Sequence, residues 1–261
     1  MAVLTALGVG VLVGVVVGAL GAGGGILSVP ALVYLLGQDP HDAAAGSLVV
    51  VGLTAIVSLI APARAGRVHW RDGATFGLMS VLGALVGSRA SVAVDGTLLL
   101  TLFCVMLAVV GVVMLVRGLR SRKSPDDGGG SEKDSASARR GLLVVAAAAT
   151  FTGFLTGFFG VGGGFIVVPM LVLALGFPMK DASGTSLLVM IIASSAGLAA
   201  RVGTHSNVDW PVVLAFAAAS MVGGILGGPL TKRASASTLT TTFGLLLLGV
   251  CAVTAYDLLR A

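Results

Sequence analysis

The sequence predicts an all-α polytopic membrane protein made of two homologous halves. Each half is a glycine-broken helical hairpin followed by three transmembrane helices, and the halves are expected to be inverted repeats. Three observations carry that prediction. The first is composition. Of 261 residues, 56% are hydrophobic and only 10% are charged, with a mean hydropathy of +1.06. An ordinary globular domain is about 25% charged, and a soluble chain this apolar could not cover its surface. The second is a series of charge-free blocks long enough for helices to cross the hydrocarbon layer. The third is a glycine-rich pattern that occurs twice in the same order.

The blocks run over 2–21, 26–37, 43–61, 73–88, 97–116, 142–160, 165–176, 182–200, 211–230 and 238–256. The first has no basic segment before it and recurs later in the chain, so it reads as a helix rather than a cleaved leader. Two blocks, 26–37 and 165–176, are short, and each follows a triple glycine. Between the fifth and sixth blocks lies SRKSPDDGGGSEKDSASARR, whose Gly, Ser, Pro and mixed charges cannot bury a core. The expected organisation is therefore a first membrane repeat over 1–120, a disordered cytoplasmic linker over 121–140 and a second membrane repeat over 141–261.

Shifted by 139 positions, Gly14, Gly18, Gly21, Gly23, Gly24, Gly25, Pro30 and Ser47 fall on Gly153, Gly157, Gly160, Gly162, Gly163, Gly164, Pro169 and Ser186. With one more residue inserted, Val68, Trp70, Gly83 and Gly87 fall on Val208, Trp210, Gly223 and Gly227. If each glycine element is a hairpin that returns to its starting face, three crossings remain per half and the second half is upside down. A cytoplasmic linker then shares its side with 13 of the 16 Lys and Arg, leaving Arg89, Arg201 and Arg260 outside. Four crossings per half would give 12 against 4, so the positive-inside rule separates the two arrangements by one residue. Short, glycine-interrupted segments at matched positions favour the inverted form.

An interrupted helix in lipid leaves backbone groups without partners unless protein, water or a solute supplies them. If the short segments are helical, their first N–H groups and positive dipole ends point at Gly23, Gly24 and Gly25 and at Gly162, Gly163 and Gly164, which suits a bound anion. Ser28 adds a hydroxyl to the first element, where the second has Val167. Ser47 and, in the second copy, Thr185 and Ser186 open the next helix as caps or hydroxyl ligands; Gly46 stands opposite Thr185. The expected site holds an anion near mid-membrane between the two elements. Gly10, Gly14 and Gly18, with Gly153 and Gly157, have the four-residue spacing of helix-packing positions, and alanine at Gly14 or Gly153 is expected to cost about 1 kcal/mol or somewhat more. Asp42 and Asp181 suit a helix N-terminus, and Trp70 and Trp210 an interfacial belt.

Other chemistries find no residues. No Asp, Glu, Lys, Arg or His lies within an apolar block, which weighs against proton pumps and cation antiporters. Neither glycine element is a nucleotide motif. Cys104 and Cys251 read as core residues, and the histidines have no metal spacing. No enzyme, cofactor, metal or nucleic-acid partner is expected; the partners are a small solute and the lipid bilayer.

The two elements GALGAGGGILSVP (18–30) and GFFGVGGGFIVVP (157–169) resemble those of the sulfite exporter TauE/SafE family of membrane permeases. So do AAAGSL (43–48), ASGTSL (182–187) and the openings VHW (68–70) and VDW (208–210). The resemblance covers nearly the whole chain outside 121–140. It implies a multi-pass protein of the cytoplasmic membrane, a secondary transporter exporting sulfite, organosulfonates or similar sulfur-containing anions. A passive anion channel and a non-transporting membrane assembly factor are the rival readings, and a homodimer is compatible with all three.

Overall fold

The computed structural model describes residues 2–20, 25–123, 142–160, 164–173, 175–201, 208–233 and 235–260. Regular structure among them is helical throughout. The first half contributes α1 (Ala2–Leu20), α2 (Gly25–Pro30) continued by a π-helical turn (Ala31–Leu35), α3 (Pro40–Arg64), α4 (Trp70–Val92) and α5 (Gly96–Lys123). The second contributes α6 (Leu142–Phe159), α7 (Gly164–Leu173), α8 (Met179–Arg201), α9 (Trp210–Arg233) and α10 (Ala236–Arg260). Six of these, α3, α4, α5, α8, α9 and α10, are long and apolar enough to cross a membrane. The protein is an all-α polytopic membrane protein. The helix α5 runs on through Lys123, past the expected start of the linker, with Arg117 and Arg120 at a C-terminus whose dipole favours cations. Most of the linker, 124–141, lies outside the described residues.

Lipid-facing and protein-facing surfaces separate as they should in a bilayer. Leu12, Leu78, Leu82, Val105, Val109 and Ile225 are exposed, while Phe76, Phe103, Phe216 and Phe243 are fully buried. Between helices in lipid the hydrophobic effect gives little attraction, so association depends on close van der Waals contact through small residues. That contact is made across the halves. The first helix α1 packs chiefly on α9, and its counterpart α6 packs chiefly on α4. A Cβ on Gly14 would land on the backbone of Ser220, and one on Gly153 on the backbone of Ser80, the equivalent residue. The same holds for Gly18 against Gly224 and Gly157 against Ala84. Alanine at Gly14 or Gly153 therefore falls in the costlier part of the expected range: the collision is with backbone, which cannot rotate away.

These contacts also give directions. Gly10 meets Ala219 and Gly18 meets Gly224, so α1 and α9 are parallel; Gly46 meets Val213 and Ser58 meets Gly224, so α3 is parallel to α9 as well. Running the same way, α1 and α3 require the chain between them to return, which α2 and its π turn do. In the second half α6 and α8 are both parallel to α4 by the same kind of contact, and α7 makes the return. The equivalent helices α3 and α8 run antiparallel, Leu48 beside Gly197 and Gly52 beside Ser194. So do α5 and α10, with Gly111 beside Leu248, Gly118 beside Thr241, and Cys104 and Cys251 each against the other's backbone carbonyl. Both cysteines are free.

The copies differ at the returning helix. Pro30 has no N–H to donate and ends α2, and the chain widens into a π turn closed by Leu36 N–H donating to Ala31 O at 3.1 Å. In α7, Pro169 sits within one continuous helix.

Candidate functional site

Gly25 and Gly164 are the first residues of α2 and α7, so each triple glycine ends where a helix N-terminus begins. Gly23, Gly24, Gly162 and Gly163 lie outside the described residues. The approach to the second break is fixed by Gly160, whose φ of 66° is one that side-chain-bearing residues rarely adopt. A Cβ there would fall on Ala44 of α3. The Ser47 hydroxyl donates to Gly160 O and, at 3.0 Å, to Ala44 O. Ser47 thus fastens the end of the α6 hairpin to α3.

Ser47, Thr185 and Ser186 do not cap helices. The N-cap of α3 is Asp39, whose carboxylate accepts from His41 N–H at 2.9 Å, and α3 starts at Pro40, two turns before Ser47. Likewise α8 starts at Met179, well before Thr185. Sequence pattern placed these helix starts late because Pro40, His41 and Asp42 look polar, whereas they form a normal first turn with Pro at its head. Thr185 Oγ1 accepts from His69 N–H at 3.1 Å, tying α8 to the α3–α4 connection, and Ser186 donates to Ser183 O at 2.8 Å. His69 also lies 3.6 Å from Asp181 and 3.7 Å from Asp72.

One small anion cannot touch Ser47 and Ser186 together. Leu48 of α3 stands beside Gly197 of α8, and Ser186 lies eleven residues earlier on α8, about 16 Å along an axis rising 1.5 Å per residue. The matched hydroxyls therefore mark opposite ends of the antiparallel α3–α8 pair. The expected single seat held by both halves thus does not include both hydroxyls.

Between those ends the structure reveals residues that sequence reasoning passed over. Most hydroxyls in the spanning helices bond back to the preceding turn, the ordinary arrangement for Ser and Thr in helices: Thr152, Thr156, Ser195, Thr240 and Thr241 each donate to the carbonyl four residues earlier. Five others do not. Ser28, Thr54, Ser58, Ser194 and Thr254 are 0–3% exposed and, among the described residues, their hydroxyls have no hydrogen-bond partner. Thr54 and Ser58, one turn apart on α3, face Gly224 of α9, while Ser194 lies against Gly52. The signal available in the sequence was a pair of hydroxyls at four-residue spacing inside an otherwise apolar block. The sixth passed-over residue is Arg201. Counted among the loop cations, it is instead the last residue of α8 and is 8% exposed. No group of three or more His, Cys, Asp or Glu capable of holding a metal occurs among the described residues.

Six spanning helices and two returning segments define a multi-pass membrane protein, and the relatives it matches make it a membrane transporter rather than an enzyme. Residues 6–254 match the family model described as sulfite exporter TauE/SafE. The chain is 37% identical over 252 residues to a "Probable membrane transporter protein" of Xylella fastidiosa (strain Temecula1 / ATCC 700964), covering 95% of this chain and 92% of the relative. It is 26% identical over 252 residues to the "Probable membrane transporter protein YunE" of Bacillus subtilis (strain 168), covering 92% of each. A third relative, the "Probable membrane transporter protein MJ0441" of Methanocaldococcus jannaschii, is 28% identical over 196 residues, 73% of this chain and 68% of the relative. No solved structure matches. The chain belongs to the sulfite exporter TauE/SafE family.

Proposed function

We propose that this protein is a secondary transporter that exports small sulfur-containing anions, such as sulfite or organosulfonates, across the cytoplasmic membrane. The observation that carries the reading is the set of buried, unpartnered hydroxyls of Ser28, Thr54, Ser58 and Ser194. A buried polar group without a partner costs about 1–3 kcal/mol; these four belong to α2, α3 and α8, whereas the fifth, Thr254, belongs to α10, and the four are kept free for a passing solute. Hydroxyls and backbone N–H groups can hold an anion without neutralising it, which lets it leave. The helix N-termini at Gly25 and Gly164 supply partial positive charge at the two ends, where Gly23, Gly24, Gly162 and Gly163 would keep the approach open.

The antiparallel course of α3 against α8 and of α5 against α10 supports inverted halves, related by an axis in the membrane plane. With the basic linker cytoplasmic, the first break lies toward the cytoplasm and the second toward the outside. Inverted halves suit alternating access, one end opening as the other closes. The path lies within one chain, so a homodimer is not required for it.

The test is flux of labelled sulfite in proteoliposomes. Thr54→Val removes a hydroxyl at constant shape and Gly163→Val puts a Cβ in the second break. Both are expected to insert normally, the first with unchanged or slightly raised stability, and both to lose most of the flux. Countertransport against a gradient separates a transporter from a channel. Wild-type rates in both variants would sink this reading.

A further inference from the structure

A buried cation stands beside the second break, and anion transport as described makes no use of it. The Arg201 guanidinium donates to Ser91 Oγ at 2.9 Å and to the carbonyls of Gly157 and His41 at 3.4 Å each. These acceptors belong to the last turn of α4, the last turns of α6 and the first turn of α3. The charge is therefore held where three elements converge on the hairpin that ends at Gly160. A clamp needed by the fold would be expected in both copies, since the packing around it is duplicated. The first half has Pro62 at the matching position. An arginine at a helix end ordinarily reaches out to the interface, whereas this one is 8% exposed, and burying a charge within protein is costly unless it is paired and hydrogen-bonded. A guanidinium presents a planar fork of donors that matches two oxygens of an oxyanion.

We propose that Arg201 is an anion-binding residue at the second break, taking a small sulfur oxyanion or sulfonate head, and that Ser91 is the positioning residue that aims it. The incoming oxygens would replace the two longer bonds, to Gly157 O and His41 O, while the shorter bond to Ser91 is kept. This rests on the reading of the protein as an anion transporter and names the residue that would give that end of the path its selectivity.

The experiment pairs sulfite flux in proteoliposomes with thermal unfolding of purified protein in sulfite, sulfate, methanesulfonate and chloride. It uses wild type, Arg201→Gln, Arg201→Lys, Ser91→Ala and, as a control, Arg89→Gln, which changes an exposed arginine of α4. Oxyanions should stabilise wild type and Arg89→Gln alike. Arg201→Gln should lose that stabilisation and raise the half-saturating sulfite concentration about tenfold or more, with a much smaller change in maximal rate. Lys should fall between, and Ser91→Ala should raise half-saturation severalfold. If Arg201→Gln inserts, unfolds like wild type and keeps wild-type half-saturation, Arg201 is only a clamp and the proposal falls while transport stands. If wild type moves no anion yet is stabilised by oxyanions through Arg201, the site stands and the transport reading falls. Should Arg201→Gln fail to insert, unchanged affinity in Ser91→Ala overturns the proposal. Stabilisation that follows added phosphatidylglycerol in phosphatidylcholine vesicles, and not the free anion, would overturn it in favour of a lipid headgroup.

Discussion

The two halves are alike where they pack and unlike around their returning segments. Gly14 on Ser220 and Gly153 on Ser80 are the same contact made twice, as are Gly83 on Thr150 and Gly223 on Val11. Around the breaks the copies diverge: Ser28 matches Val167 in register, Gly46 matches Thr185, and Pro62 matches Arg201. The duplicated scaffold is held by steric fit at backbone contacts, which leave no room for an added atom. Two ends of a path with different chemistry can bind a solute with different strength, which a symmetric pair could not do.

The largest effect expected tests the shared part. Valine at Gly14 or at Gly153 forces α1 off α9 or α6 off α4, and both variants should lose folded, inserted protein. Alanine should cost each about 1–3 kcal/mol or more by thermal unfolding, with near-equal values. A much cheaper change in one half would break the equivalence of the two contacts. Thr185→Val sharpens the unlike part. It leaves the His69 N–H without its acceptor, so it should destabilise by about 1–3 kcal/mol, and it is expected to weaken sulfite binding. Gly46→Ala, its counterpart, removes no hydroxyl and should weaken sulfite binding less, though its Cβ would press on the buried side chain of Val213. The smallest effect should come from the join between the halves. Deleting most of Asp126–Ala138 is expected to leave insertion and flux nearly unchanged, and single cysteines placed there and at residue 1 should label from opposite sides. Loss of flux in a normally inserted deletion would give the linker a regulatory role.

Sequence pattern carried the fold further than the site. Apolar length marked the spanning helices, and the doubled glycine order marked the halves, because both are one-dimensional signals. The short blocks after each triple glycine became α2 and α7 as expected. What pattern could not supply was distance across the bundle. Ser47 and Ser186 match in register, and register alone suggested a shared seat, whereas antiparallel α3 and α8 carry them to opposite ends. Arg201 was invisible for a related reason: at the edge of an apolar block a cation reads as a loop residue, and only the convergence of α3, α4 and α6 shows it enclosed. Thr54, Ser58 and Ser194 were hidden among hydroxyls of identical type, distinguished only by which of them lack a partner.

The exchange of first helices between halves also governs how the protein can be made. Gly14 and its contact residue Ser220 are 206 positions apart, so α1 enters the bilayer long before α9 has been synthesised. Until then its glycine face can meet only lipid, and the first half cannot finish folding by itself. The second half has no such wait: α4 is already in place when α6 emerges. Assembly is thus ordered by the ribosome, with α9 closing over a helix that entered first and α10 then packing on α5. A chain arrested before α9 should leave α1 exposed to membrane quality control, and two halves expressed as separate polypeptides should mature only together.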